Sequence, residues 1–435
     1  MRRTPSSIVE NISMYIASLE QPAERSPIAD PHRPNLTPRL ETGQDWARPD
    51  RAPLLTGYPC HEYRQVLGMI SGTSADGVDV ARVLFPPADR EERLEILEFD
   101  TVPYPPELKS EVLKAAADEL TLRQTARLHA RLSDFFAEVA AGAVERKPVA
   151  LIASHGQTVC HLPESQTTLQ LGDGSVIANR TGVVTISDFR TADMALGGQG
   201  APLVPLFDSH LLAHPTVTRI AVNLGGIANV TVIAPQATSV CAWDTGPANC
   251  VSDALCRLRG RGEFDPNGEN AARGMVDESL LARLLDRDYF RRSHPKSTGL
   301  EDFGESFARS LPQDLPFEDC LRTALALSAQ SLVDAVLMEM PRNGAVELVF
   351  AGGGTANRTL MSEIAGRLEK STHSAGIPNP PSRSFREFGV GEECREAAAF
   401  AFLGDRTARG LVGSVPSTTG ARKAAILGKV SFPSP

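Results

Sequence analysis

The sequence predicts a two-domain α/β protein, and three observations carry that reading. The chain has 435 residues, 42% hydrophobic and 22% charged, which are globular proportions with enough apolar side chains for two cores. A strand, a glycine-rich turn and a second strand are written at RQVLGMISGTSADGVDVARVLF and again at VTRIAVNLGGIANVTVIA, suggesting two related halves. Helical apolar spacing fills the segments after each of these pairs. The boundaries read as an N-terminal extension over 1–65, a first α/β domain over 66–219 and a second over 220–435, whose last helix could pack back on the first.

The elements follow in chain order. Nine of the 32 prolines fall in the first 60 residues, where periodicity is largely absent, so a flexible extension is expected with one short helix near IVENISMYIASL. RQVLGMI and VDVARVLF then form a hairpin, and EILEFDTVPYP adds a third antiparallel strand. Leu128, Leu132, Phe135 and Val139 mark the buried face of the helical stretch that comes next. PVALIASHGQTV reads as a buried strand ending in a polar loop, and TLQLGDGSVIANRTGVVTISDFR as further strands separated by glycine turns. In the second half, DCLRTALALSAQSLVDAVLMEM is helical, AVELVFAGGG is a strand running into three glycines, and REAAAFAFLGDRTARG is the last helix.

Composition excludes several classes. With 44 basic against 53 acidic residues the formal charge is −9, which gives no support to non-specific coating of nucleic acid. The seven cysteines are widely spaced without a CxxC pair, so neither a disulfide framework nor a structural zinc site is expected, and a reducing, cytoplasmic compartment fits. No run of about 18 apolar residues predicts a membrane span.

The chemistry lies in the glycine turns and two carboxylates. Ser71, Gly72, Thr73, Ser74, Asp76 and Gly77 form a turn that could donate hydroxyls and N–H groups to phosphate oxygens, or could be a simple hairpin turn. Asn223, Gly225 and Gly226 follow another strand, and Gly353, Gly354 and Asn357 a third, so three turns could enclose one nucleotide. No GxxxxGKS or GxGxxG is present. Asp188, in ISDFR, is the leading general base, with a structural Asp–Arg pair as its alternative. Arg190 could clamp an anionic group, Asp244 could face metal-bound water or cap its turn, and Lys296 could contact phosphate or simply sit in solvent. His155 and His161 lack the one-face spacing of a zinc pair.

Taken together, VLGMISGTSADGVDVA, ASHGQTVCH, LQLGDGSVIA, ISDFRTADMALGGQGAPLVPLFD, NLGGIANVT, DTGPANC, FDPNGENAARG, PKSTG, FAGGGTANRTLM and TTGARKAAILG resemble the anhydro-N-acetylmuramic acid kinase family over residues 66–428. The resemblance implies an actin-like ATPase/sugar kinase (ribonuclease H-like) fold with an interdomain cleft, ATP and Mg2+ as cofactors, and a 1,6-anhydro sugar as small-molecule partner. It also implies a homodimer engaging neither nucleic acid nor membrane.

By the same resemblance, Asp188 takes a proton from water attacking C1, and the departing O6 attacks the γ-phosphate, a step of peptidoglycan recycling. Ser71, Gly72, Thr73, Ser74, Asp76, Gly77, Asn223, Gly225, Gly226, Gly353, Gly354 and Asn357 match the nucleotide turns. Asp79, His155, Gln157 and Arg190 are the substrate-side candidates, and Asp244, Thr245, Gly246 and Lys296 further cleft candidates; no direct metal ligands are assigned. Two departures stand out: Ala75 where the family often has Met, and Leu300-Glu301 where it often has Arg-Glu. A levoglucosan kinase using the same ring opening, or a non-catalytic ATP-binding module, is the alternative reading.

Overall fold

The computed structural model describes residues 53–435 apart from Thr73, Glu91, Glu92, Pro295, Arg342 and Asn343; the expected helix near IVENISMYIASL and the expected phosphate contact of Thr73 lie outside the described residues. The chain divides into two compact units. One comprises the described residues up to Leu211 together with Gly389–Pro435, and the other comprises Leu212–Phe388.

In the first unit, β1 (Arg64–Ser71), β2 (Gly77–Phe85) and β3 (Glu95–Pro103) form an antiparallel meander. On the other side of β1, β4 (Leu151–Leu162) pairs with it in parallel. The strand β5 (Thr167–Leu171) folds back on β4, while β6 (Thr185–Ser187) continues the parallel set. The strand Lys429–Ser431 closes that edge, antiparallel to β6.

β1 is buried on both faces. Leu67 and Met69 point into a core with Leu128, Leu132, Phe136 and Ile177 from the helices Leu122–Arg146 and Gly174–Thr181. On the opposite face, a Cβ on Gly68 would lie 1.9 Å from the Ala397 carbonyl oxygen, so the helix Arg395–Ala408 rests directly on β1. Only glycine permits that approach.

Four expectations need correction here. Leu55, Tyr58 and Cys60 are buried, and the Tyr58 hydroxyl donates to Asp405 at 2.8 Å, so the chain is packed well before the end of the extension expected over 1–65. The polar loop expected at HGQT is part of β4, because β5 supplies hairpin partners as far as Leu162. The segment GSVIANRT is a helix and not another strand: Asp173 caps it by accepting from Ser175 N at 2.6 Å, and Gly182 ends it at φ 70. On the long helix, Phe136 rather than Phe135 takes the fully buried position, with Phe135 and Val139 packed at the margin.

The second unit repeats the strand order. β7 (Val217–Leu224), β8 (Ile227–Ile233) and β9 (Val240–Pro247) form the meander, while β10 (Ala345–Ala351) and β11 (Ser382–Ser384) lie parallel beyond β7. In each sheet the first strand has the rest of its meander on one side and two parallel strands on the other, and the first sheet adds β5 and the strand Lys429–Ser431 on that parallel side. Both sheets are therefore mixed and the fold is α/β. The helix Phe317–Glu339 is long and apolar enough to cross a membrane, but 78% of its most apolar window is buried in this unit, where it packs with Arg358–Ala375.

Candidate active site

In the first unit, the C-terminal ends of the parallel strands share one edge: Met69 is opposite Ser154, and Ser154 opposite Ser187. Ligands of open α/β sheets are bound at such edges. Asp188 leaves β6 in the left-handed region at φ 54, uncommon for a residue with a side chain. Its Oδ1 accepts from Thr191 Oγ1 at 2.6 Å and its Oδ2 from Lys429 Nζ at 2.6 Å. Burial pushes this carboxyl up, but Lys429 and Thr191 outweigh it and hold the group below the ordinary carboxylate range. Asp188 is thus an ionised, oriented carboxylate. Its ion pair is with Lys429, so the alternative of an Asp188–Arg190 pair does not hold.

Arg190 is directed elsewhere. Its Nε donates to His155 Nε2 at 3.0 Å, and its Nη1 to the Gly200 carbonyl at 2.9 Å. His155 is buried, and its Nδ1 donates to the Gly156 carbonyl at 3.1 Å, which leaves Nε2 as the acceptor that Arg190 needs. Burial and then the Arg190 charge push the His155 pKa well down. Burial also lowers Arg190, to about 10. The pair is therefore a neutral imidazole holding a guanidinium.

Around the first turn, Ser71 Oγ donates to Gln157 Oε1 at 2.6 Å, and Gln157 Nε2 returns to the Gly72 carbonyl at 3.2 Å. Gln157 thus latches the turn to β4. A Cβ on Gly72 would meet nothing, whereas one on Gly77 would lie 2.3 Å from the Val102 carbonyl oxygen, so packing against β3 accounts for Gly77. Asp76 is exposed and paired with Lys109 at 2.5 Å, which lowers its pKa. Ser74 is exposed beside it. Asp79 accepts from Thr101 Oγ1 at 2.6 Å, and burial raises its pKa.

In the second unit, Asn223 pairs across to Ala351, which brings the turns after β7 and β10 side by side. The Gly225 carbonyl accepts from the backbone N–H of Asn249 and from Asn249 Nδ2, both at 3.2 Å. Asn357 caps the helix Arg358–Ala375 by accepting from Leu360 N at 3.0 Å, and its Nδ2 reaches Asn249 Oδ1 at 3.3 Å. Gly354 is needed for packing, since a Cβ would lie 2.7 Å from Leu224 Cβ. Gly353 meets nothing, and Gly225 and Gly226 meet only ordinary contacts, so these three leave the backbone open to a ligand.

The remaining candidates divide. Thr245 is buried and donates to the Ala228 carbonyl at 3.2 Å, and it lines a small cavity with Trp243, Phe290 and Lys296; a Cβ on Gly246 would lie 2.9 Å from the Phe290 ring, so packing accounts for that glycine. Asp244 accepts from Thr298 N at 3.0 Å, and burial raises it to about 6. Lys296 lies over the Tyr289 ring at 4.6 Å and donates to the Tyr289 carbonyl at 3.1 Å, so it is held by protein and is not a free surface cation. Among the described residues, no three His, Cys, Asp or Glu side chains converge as a metal cage.

Sequence reasoning missed Thr191, Lys429, Asn249 and Glu396. Thr191 and Asn249 lie in quoted motifs but bear no signal beyond a short polar side chain. Lys429 is far from Asp188 in the chain and carries none. Glu396 is the second residue of the helix Arg395–Ala408; loss of solvation raises its pKa, and the charges of Arg395, Asp79 and Arg190 act on it.

Residues 64–433 match the family model for anhydro-N-acetylmuramic acid kinase. The chain is 40% identical over 395 residues to a protein of Salinibacter ruber called anhydro-N-acetylmuramic acid kinase, covering 86% of this chain and 97% of that one. Proteins of the same name from Caldanaerobacter subterraneus and Bacillus cereus are each 36% identical, over 85% of this chain and 98% and 99% of theirs.

Proposed function

The chain belongs to the anhydro-N-acetylmuramic acid kinase family, and on that premise we propose how its residues open and phosphorylate the sugar. The enzyme is an ATP-dependent kinase that hydrolyses the 1,6-anhydro bridge of anhydro-N-acetylmuramic acid and phosphorylates O6, giving N-acetylmuramic acid 6-phosphate and ADP. The observation that carries the mechanism is Asp188: ionised, fixed through Oδ1 by Thr191, and set at the C-terminal edge of the parallel strands in a conformation that costs on the order of 1–3 kcal/mol.

Asp188 takes a proton from water as the water oxygen bonds to C1. The C1–O6 bond breaks, and O6 takes the γ-phosphoryl group as its bond to ADP breaks. Proton removal and positioning supply the catalysis, because phosphoryl transfer demands chiefly alignment and charge stabilisation. The open backbone at Gly72, Gly225, Gly226 and Gly353 suits the nucleotide, and Asp79, Gln157 and the His155–Arg190 pair suit the sugar. MgATP enters as substrate, its ion coordinated mainly by phosphate oxygens and water. The repeated strand order of the two sheets supports an actin-like, ribonuclease H-like fold. A cytoplasmic homodimer accords with this reading.

The test pairs two sugars with one variant. Wild type is expected to form ADP with anhydro-N-acetylmuramic acid and little with levoglucosan. Asp188→Asn should bind ATP normally while kcat/KM for the sugar falls about 10²–10⁴-fold. Turnover confined to levoglucosan would overturn the substrate, and undiminished turnover by the variant would overturn the base.

A further inference from the structure

The base has a partner that no motif announces. Gly428, at φ 91, lets the chain approach so closely that a Cβ there would lie 2.5 Å from Ile186 Cγ2. That approach seats Lys429 opposite Ser187, one residue before Asp188, and the strand Lys429–Ser431 is held by pairing to β6. The Lys429 side chain is 71% exposed yet spans to Asp188 Oδ2 at 2.6 Å. The backbone therefore places this lysine at the base.

We propose that Lys429 is a positioning residue for the reaction: it pins Oδ2 of Asp188 as Thr191 pins Oδ1, and keeps the carboxylate ionised and aimed until water arrives. This rests on the assignment of Asp188 as the base. A carboxylate oxygen offers two lone-pair directions, so Oδ2 can keep Lys429 on one and take the water proton on the other. The proton moves from water to Asp188, and Lys429 keeps its own.

The other charges nearby are engaged elsewhere. Arg190 is held by His155 and the Gly200 carbonyl, and Asp193 accepts from Gly200 N at 2.9 Å and Thr419 Oγ1 at 2.8 Å. Lys429 is thus the charge that acts on Asp188, and its cationic head opposes protonation of the carboxylate. Removing it should make the base protonate at higher pH, which costs activity on the acid side.

Carboxyl carbon NMR titration of Asp188, with its signal identified by loss in Asp188→Asn, tests this directly. In Lys429→Met the midpoint should move to higher pH, and in Lys429→Arg it should stay near wild type. Sugar-dependent kcat/KM at pH 5 relative to pH 7.5 should fall about threefold or more in Lys429→Met and hold in Lys429→Arg. An unmoved midpoint in folded Lys429→Met would overturn the proposal. If wild type turns over no anhydro sugar, the assigned reaction fails, while the titration still reports on Lys429.

Discussion

At Asp244, burial sets a sign that can be measured. Its carboxyl is raised from the ordinary 3.8 to about 6, so between those pH values the folded chain binds more protons than the unfolded chain. The cost of burying the charge is therefore present above pH 6 and relieved as pH falls toward 4. Urea unfolding of wild type and Asp244→Asn should show the variant losing part of this acid-side gain; identical pH dependence would mean that Asp244 is already ionised in the fold at pH 5. The two carboxylates singled out from sequence thus differ physically: Asp188 is ionised by its neighbours, and Asp244 is burdened by burial. Both were legible as sharp residues, but which was which depended on the Lys429 contact and on the burial of Asp244, and neither has a sequence signature.

Among the elements, glycines of similar appearance do different work. Gly354→Ala should cost about 1–3 kcal/mol by overpacking against Leu224 and Asn249, visible as a lower denaturation midpoint. Gly353→Ala adds a methyl group into open space, so its stability should hold while KM for ATP rises. Equal stability losses would remove the distinction. The helix Arg395–Ala408 depends on a second device: Arg395 Nε donates to Asp208 Oδ1 at 2.8 Å in a fully buried pair. Arg395→Met removes the guanidinium from this buried pair and should destabilise by about 3–5 kcal/mol in chemical denaturation. A loss below about 1 kcal/mol would show that the pair does not anchor the helix.

At the scale of the whole molecule, the sequence carried much of the fold, because the meanders at 64–103 and 217–247 combine β-branched runs with glycine turns that any reader of periodicity can find. It misled where local chemistry competes with that pattern, as at Asp173, whose capping bond makes a helix of a segment that reads as strand. The site was half legible: Asp188 and the open glycines stand out in the chain, while Lys429 reaches Asp188 from the last residues of the chain. All of it converges on one reaction, in which a single water opens the bridge and a single phosphoryl group is transferred. The most direct test is brief incubation with MgATP and anhydro-N-acetylmuramic acid in 18O-labelled water, quenched before the anomeric hydroxyl exchanges, with the product read by mass spectrometry and NMR. The expected product is N-acetylmuramic acid 6-phosphate with solvent oxygen at C1, none in the phosphoryl group, and one ADP per sugar. A phosphorylated sugar with its bridge intact, or label in phosphate and none at C1, would contradict the account.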